Sequence, residues 1–356
     1  MTVPRKSRQN PEIRDFILRT IPTHPVAIGS LAAEKFGLSR TAANRYLKRL
    51  EAEGFISADG KTSARRYALK PISEYSTTID IAPGLYESDI WRLQVEPHLK
   101  NLPDNVERIC QYGFTEMFNN VIDHSGSADA IVNCKQDYAE ISMLVIDRGV
   151  GIFEKIQKDF RLPDPRSALL ELSKGKLTSD KSKHSGEGIF FTSRMFNSFT
   201  ILSGHLCYTR KMTEDRGWLL ETEDRPDYHK KGTTVAMTLA ANATWSPKDI
   251  FEKYQNEDWD FAKTHIPVTL GRYGQEELVS RSQAKRILAR FDRFDEILLD
   301  FKGVEQIGQA FADEIFRVFA GGHPNVNIVA VNASDDVKKM IAHAKVANPS
   351  SPDEPL

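Results

Sequence analysis

EMFNNVIDHS at 116–125, DRGVGI at 147–152 and HSGEGI at 184–189 follow one another in the chain and are closed by GTTVAMTL at 232–239. In the first run Glu116 and Asn120 are four residues apart. The pattern predicts a helix over 106–124, on which positions i and i+4 stand one above the other on one face, with Asp123 and His124 on or beside that stripe. Alone, such a pair is the ordinary solvated face of a helix, and the later runs change its meaning.

The apolar, β-branched run ISMLVI precedes Asp147 and predicts a buried strand ending at that aspartate, followed by a turn through Gly149 and Gly151 to Ile152. In the third run Gly186 and Gly188 stand before the apolar residues Ile189, Phe190 and Phe191. That arrangement predicts a helix start whose amides, uncovered by side chains, attract an anion, with Lys183, His184 and Ser185 as added donors. Glu187 is out of place beside an anion and is expected to point away or to meet a cation. Thr233 opens an alternating strand through Val235, Met237 and Leu239.

Together these pieces have the chemistry of an ATP–magnesium pocket. Glu116 can polarise a water, and the Asn120 oxygen can ligate Mg2+ without adding charge. Asp147 can accept from an adenine amine, and the glycine turn admits the base. Order and spacing resemble the GHKL (Bergerat-fold) ATPases, and the SGxG form of the third run is closest to the anti-sigma-factor kinases. The usual first glycine is His184 here. The resemblance implies Glu116 as general base, Asn120 as metal ligand, Asp147 as the adenine contact and Thr233 as an anchor of the pocket floor. Asp123, His124, Gly149, Gly151, Ile152, Lys183, His184, Ser185, Gly186, Glu187 and Gly188 complete the expected nucleotide set. The polar segment 153–183 has the length of a lid or a disordered loop, and one of Lys174, Lys176, Lys181 and Lys183 is expected to reach the triphosphate.

The 356 residues allow two or three domains, each with a core, and 40% apolar with 27% charged residues is ordinary for a globular protein. No apolar run is long enough for a membrane helix and no signal-peptide pattern opens the chain, so the expectation is a cytoplasmic protein with no membrane partner. Cys110, Cys134 and Cys207 are odd in number and lack CxxC spacing, which argues against a disulfide framework or a zinc site. The net charge of −1 conceals an asymmetry: 14 Lys and Arg against 6 Asp and Glu through Lys70 give +8, leaving −9 on the rest. A basic module on an acidic body points to a polyanion partner.

Within that module, LAAEKFGLSRTAANRYLKRLEAEGFI at 31–56 resembles the winged helix-turn-helix of bacterial regulators. Ser39 is placed to cap a third helix carrying Arg40, Thr41, Asn44, Arg45 and Lys48 on its polar face, and a following two-stranded wing carries Lys61, Arg65 and Arg66. The resemblance implies that this helix enters the major groove of double-stranded DNA and that the wing meets the backbone.

Farther on, HIPVTL, EILLDF and NIVAVN alternate with helical runs at 275–290, 309–319 and 335–344, a pattern of parallel strands crossed by helices. ILLDFKGVEQIGQAFADEIFRVF resembles a STAS-like domain and implies a protein partner. Gln309 and Ala310 occupy the place where phosphorylated members of that fold have a serine, and Asp300, Lys302 and Gly303 read as turn residues.

The expectation is therefore an α/β multi-domain chain. A winged helix (1–70) and a linker (71–85) lead to a GHKL α/β sandwich (86–245), a mixed sheet with helices on one face. A second linker (246–263), a small STAS-like α/β domain (264–345) and a disordered tail (346–356) follow. The implied function is a Mg-dependent, ATP-responsive regulator, homodimeric, with a protein serine kinase or a non-hydrolysing ATP sensor as alternatives.

Overall fold

In the computed structural model the described residues are 10–61, 64–177, 186–214, 216–221, 231–258, 260–272 and 276–346. Asn10 caps α1 (Pro11–Thr20) by accepting the Glu12 amide at 3.0 Å, and proline at the first helical position removes an N–H that would lack a partner. α2 (Ile28–Phe36) ends at Gly37, whose φ of 62° turns the chain toward Ser39, the cap of α3 (Arg40–Ala52). β1 (Ile56–Asp59) and β2 (Arg66–Leu69) pair antiparallel as a wing. Ile13, Ile17, Leu18, Ile28, Leu47 and Leu50 give this module a core of its own.

β2 runs almost directly into β3 (Ser73–Asp80), where a linker is expected at 71–85; β3 is instead the edge strand of the central sheet, paired along its whole length with β4 (Asp129–Gln136). Between them lie α4 (Glu87–Ile90), which continues as a π-turn, and α5 (Asp104–Asn120). The chain continues through β5 (Glu140–Asp147), α6 (Ile152–Phe160), α7 (Pro165–Lys174) and α8 (Gly188–Met195). β6 (Ser198–Ser203), β7 (Leu206–Lys211), β8 (Arg216–Glu221) and β9 (Thr233–Ala240) complete the seven-stranded sheet, in the order β3-β4-β5-β9-β6-β7-β8. Every pairing is antiparallel, so the expected mixed sheet is corrected.

α5 buries Val106, Ile109, Cys110, Phe114, Met117 and Phe118 over this sheet and leaves the opposite stripe for the site. Phe114 and Phe118 stack at 5.4 Å. Burial of each such ring contributes about 2–3 kcal/mol. The second expected linker is likewise structured. Ser246 and Asp249 form a capping box on α9 (Pro247–Tyr254), and Tyr254 and Phe261 join Phe190 and Phe191 in one aromatic cluster.

The C-terminal module is a parallel sheet β10-β11-β12: β10 (Lys263–Pro267), α10 (Arg281–Leu288), β11 (Glu296–Asp300), α11 (Gln309–Asp313), α12 (Ala320–Gly322), β12 (Asn327–Val331) and α13 (Asp335–Val346). The helix expected at 275–290 is shorter. Asp300 accepts from the Lys302 amide and from Asn332, the work of a turn organiser. Its core is continuous with that of the central sheet, so the described residues form two cores, within the two or three that the length allows. Among the described residues no helix is long and apolar enough to cross a membrane. The expected disordered tail lies, but for Val346, outside the described residues.

Candidate functional site

One cavity of about 330 Å³ opens between α5, the end of β5, α6 and the start of α8. Glu116, Asn119 and Asn120 line it from α5. Beyond Asn120 the backbone widens into a π-turn (Val121–Ser125), which brings Val121, His124 and Ser125 to the cavity. Asp123 is exposed and outside the lining, on the π-turn, where an i→i+5 step shifts the helical phase.

Asp147, at the end of β5, is 6% exposed and faces the same cavity. Its Oδ1 accepts the Gly149 amide at 2.8 Å, and Thr233 adds its own amide and hydroxyl. Burial pushes the Asp147 carboxyl above the ordinary aspartate value, and those three donors pull against it without cancelling it. Thr233 Oγ1 also accepts the Ile152 amide at 3.0 Å, which fixes the start of α6 against the strand that holds Asp147. Val145 and Val235 form an apolar floor, while Ile152, Ile156 and Phe160 of α6 and Leu172 of α7 form the facing wall.

Gly149 is not a lining residue. Its part is closeness: a methyl group there would lie 2.0 Å from the Ser125 carbonyl, which accepts the Val150 amide at 2.8 Å. Since the obstacle is backbone, Gly149→Ala is expected to cost about 1–3 kcal/mol, read as a lowered melting temperature. An unchanged melt would show that the turn can move.

At the second glycine turn, Gly186 and Gly188 line the cavity. The Gly186 carbonyl accepts the Leu177 amide at 3.1 Å, and Gly188 opens α8, whose first amides have no partners within the helix. A methyl group on Gly188 would lie 1.9 Å from Glu116 Oε2, so the carboxylate sits directly against this helix start. Glu187 is outside the lining. Its charge falls on Lys176 and on Tyr112, whose phenol is pushed well up by burial and then by Glu116 and Glu187, and so stays neutral. Lys183, His184 and Ser185 lie outside the described residues, as does Lys181.

On the N-terminal module Arg40, Thr41, Asn44, Arg45 and Lys48 are all exposed on one face of α3, and Lys61 and Arg66 are exposed on the wing. Arg65 differs: its guanidinium pairs with Glu51 at 2.8 Å and lies 5.5 Å over the Tyr67 ring. The module is fixed to the central sheet at the β4–β5 hairpin. There the Tyr138 hydroxyl bonds Asp15, and Arg14 lies 4.2 Å over Phe55 and 5.7 Å over Tyr138.

Residues 32–57 match the family described as winged helix-turn-helix DNA-binding, and residues 283–338 match the STAS-like domain of unknown function (DUF4325). The chain carries both modules. No curated protein matches it.

The STAS-like module accounts for two of the four lysines from which one phosphate contact is expected. Lys174 is 1% exposed, and its Nζ bonds Glu171 at 2.6 Å and the Ala289 carbonyl at 2.8 Å. Lys176 donates to the Arg293 carbonyl at 2.7 Å. Both belong to the junction with the STAS-like module and not to the cavity. Sequence reasoning also missed Asn119, Phe160 and the Lys155–Asp159 pair, 3.1 Å apart, all of which line it. The amphipathic run FEKIQKDF directly behind the first glycine turn was a usable signal, because such a helix turns one face back over that turn.

Proposed function

We propose that the central domain is an ATP-binding ATPase of GHKL type that works with Mg2+, and that the winged helix of the same chain binds double-stranded DNA. One observation carries the first half: Glu116, Asn120, Asp147, Gly186, Gly188 and Thr233, drawn from four separated runs, line a single cavity. The fit is chemical as well as spatial. The volume is in the range of small-molecule sites, one end is an apolar slot with a buried carboxylate, and the other end is a helix start where added methyl groups would intrude. Asp147 accepts the exocyclic amine of a purine that lies over Val145 and Val235. The amides at Gly186 and Gly188 face the phosphates. Asn120 offers its side-chain oxygen to the metal, and bound Mg2+ supplies neutralisation of phosphate charge. Glu116 orients water and takes its proton. Titration calorimetry with ATP and Mg2+ tests the reading, and absence of any heat of binding at millimolar ATP defeats it.

Hydrolysis is favoured over phosphotransfer to the tethered module. α11 opens through Gly308, Gln309 and Ala310, none of which carries a hydroxyl.

For the winged helix, charge and position agree: five polar or basic side chains project from one face of α3. Arg40→Ala with Arg45→Ala is expected to weaken binding to a DNA duplex and to lower the slope of log K against log salt by roughly two, about one per lost phosphate contact. Gel-shift titrations at several salt concentrations read this, and an unchanged slope would leave the module a protein-contact domain. β5 joins the two halves, starting beside Tyr138 at the winged-helix junction and ending at Asp147. Its eight residues span about 27 Å.

A further inference from the structure

The cavity wall has a support outside the central domain. α10 ends at Leu288, and the chain reverses through Arg290, which holds φ 65° and ψ 17°. Glycine adopts that conformation at lower cost, so a long cationic side chain there needs a reason. The Arg290 guanidinium lies 4.4 Å from the ring centroid of Phe160, the last residue of α6 and part of the cavity lining. Its Nη1 stands 3.2 Å from Glu171 Oε2, an ion pair without the alignment of a hydrogen bond. Glu171 in turn holds Lys174.

Three further bonds fasten α7 to the same place. Lys174 Nζ reaches the carbonyls of Ala289 at 2.8 Å and Arg286 at 3.4 Å, a cation at the negative end of α10, and the Thr264 hydroxyl donates to the Lys174 carbonyl at 2.8 Å. α7 also carries Leu172, which lines the cavity. Two elements of the wall, Phe160 and the turn bearing Leu172, are thus held by the STAS-like module, and Arg290 is the side chain that touches both groups.

We propose that Arg290 is a positioning residue of the nucleotide cavity: seated on Phe160 and paired with Glu171, it lets the STAS-like module set the affinity of the central domain for a purine nucleotide. The inference rests on the nucleotide reading above. A cation over an aromatic face and a charge pair at low exposure hold Phe160 in one orientation, so the wall is formed before the base arrives. Without the guanidinium that ordering cost falls on binding. The module then acts through its seat on α6 and α7, and a protein bound to it shifts affinity by the same route.

Arg290→Gly tests this in the full chain, because glycine keeps the left-handed turn and only the side chain is lost. Amide exchange over 152–174, measured without nucleotide, should quicken about tenfold, and the dissociation constant for ATP with Mg2+ should rise about tenfold while DNA binding stays unchanged. Arg290→Lys, which retains the charge for Glu171 but not the flat face for Phe160, should give an intermediate affinity. Wild-type protein that binds ATP, with a glycine variant equal to it in exchange and within twofold in affinity, overturns the assignment of Arg290. Wild-type protein that binds no nucleotide overturns the underlying reading and this inference with it. Quickened exchange with unchanged affinity overturns the assignment too, since it leaves Arg290 a structural clasp only.

Discussion

Asp147→Asn is expected to lower the affinity for ATP about a hundredfold or more, with calorimetric heat at submillimolar nucleotide reduced to the level of buffer. Among the lining carboxylates Asp147 is the buried one, and its own neighbours supply donors only: the amides of Gly149 and Thr233 and the Thr233 hydroxyl. A purine amine adds one more donor to that acceptor. Asparagine places an N–H2 group among donors, so either a protein group or the base loses its partner inside a dry slot. Losses of that kind cost about 2–5 kcal/mol, roughly thirtyfold to several thousandfold, and the hundredfold lies within that range.

The same residue sets a pH dependence. Burial raises the Asp147 carboxyl, so in the free protein it takes up its proton at a higher pH than an ordinary aspartate near 4. A base that donates to the carboxylate favours the ionised form. Binding therefore releases a proton when the pH is near the raised value, and affinity falls as pH falls through it. For the fold the sign is opposite: the folded state binds this proton more tightly than the unfolded chain, so ionising Asp147 costs stability as pH rises through the same range. Wild-type affinity should decline on acidification above pH 4 and the weak residual affinity of Asp147→Asn should not. A variant that binds as the wild type does removes the adenine assignment.

Much of this architecture is legible in the residues, and the failures have identifiable causes. Ser39 behind Gly37 marks the start of α3, because a side-chain acceptor and a left-handed turn are local devices that need no partner elsewhere. The ISMLVI strand ending at Asp147 is legible for the same reason. β3 was not: SEYSTTID buries only Ile79, and its extended form comes from pairing with β4, a partner some fifty residues away. α9 is marked by Ser246 and Asp249 at capping-box spacing, but the charged and aromatic residues of 246–263 show no clear helical period and so read as a linker. The place of Lys174 is not legible locally, because a lysine is ordinarily solvated. Here Glu171 three residues earlier and two carbonyls of the following module make a buried place for it. Asp123 fell outside the site through a single π-turn, which no hydrophobic period announces.

Glu116→Ala is expected to cut the rate of phosphate release about 10²–10⁴-fold while ATP binding holds to within a few-fold. The two quantities separate because of where the carboxylate stands. Asp147 and the apolar slot would hold the base at one end of the cavity, whereas Glu116 lies against Gly188 at the start of α8, where phosphates would meet the helix amides. A negative side chain adds nothing to the binding of an anion, so its removal should leave affinity level or slightly raised. The use proposed for it is to orient a water and accept its proton. Tyr112, one turn earlier on the same helix and held neutral, cannot supply a second base there. Glu116→Gln retains the size and the contact with Gly188 but not the basicity, and should be as slow as alanine. If both variants release phosphate at the wild-type rate, the base is another group. If wild-type protein binds ATP yet releases none in the presence of DNA, the cavity is a sensor, and Glu116 then serves only to shape the turn at Gly188.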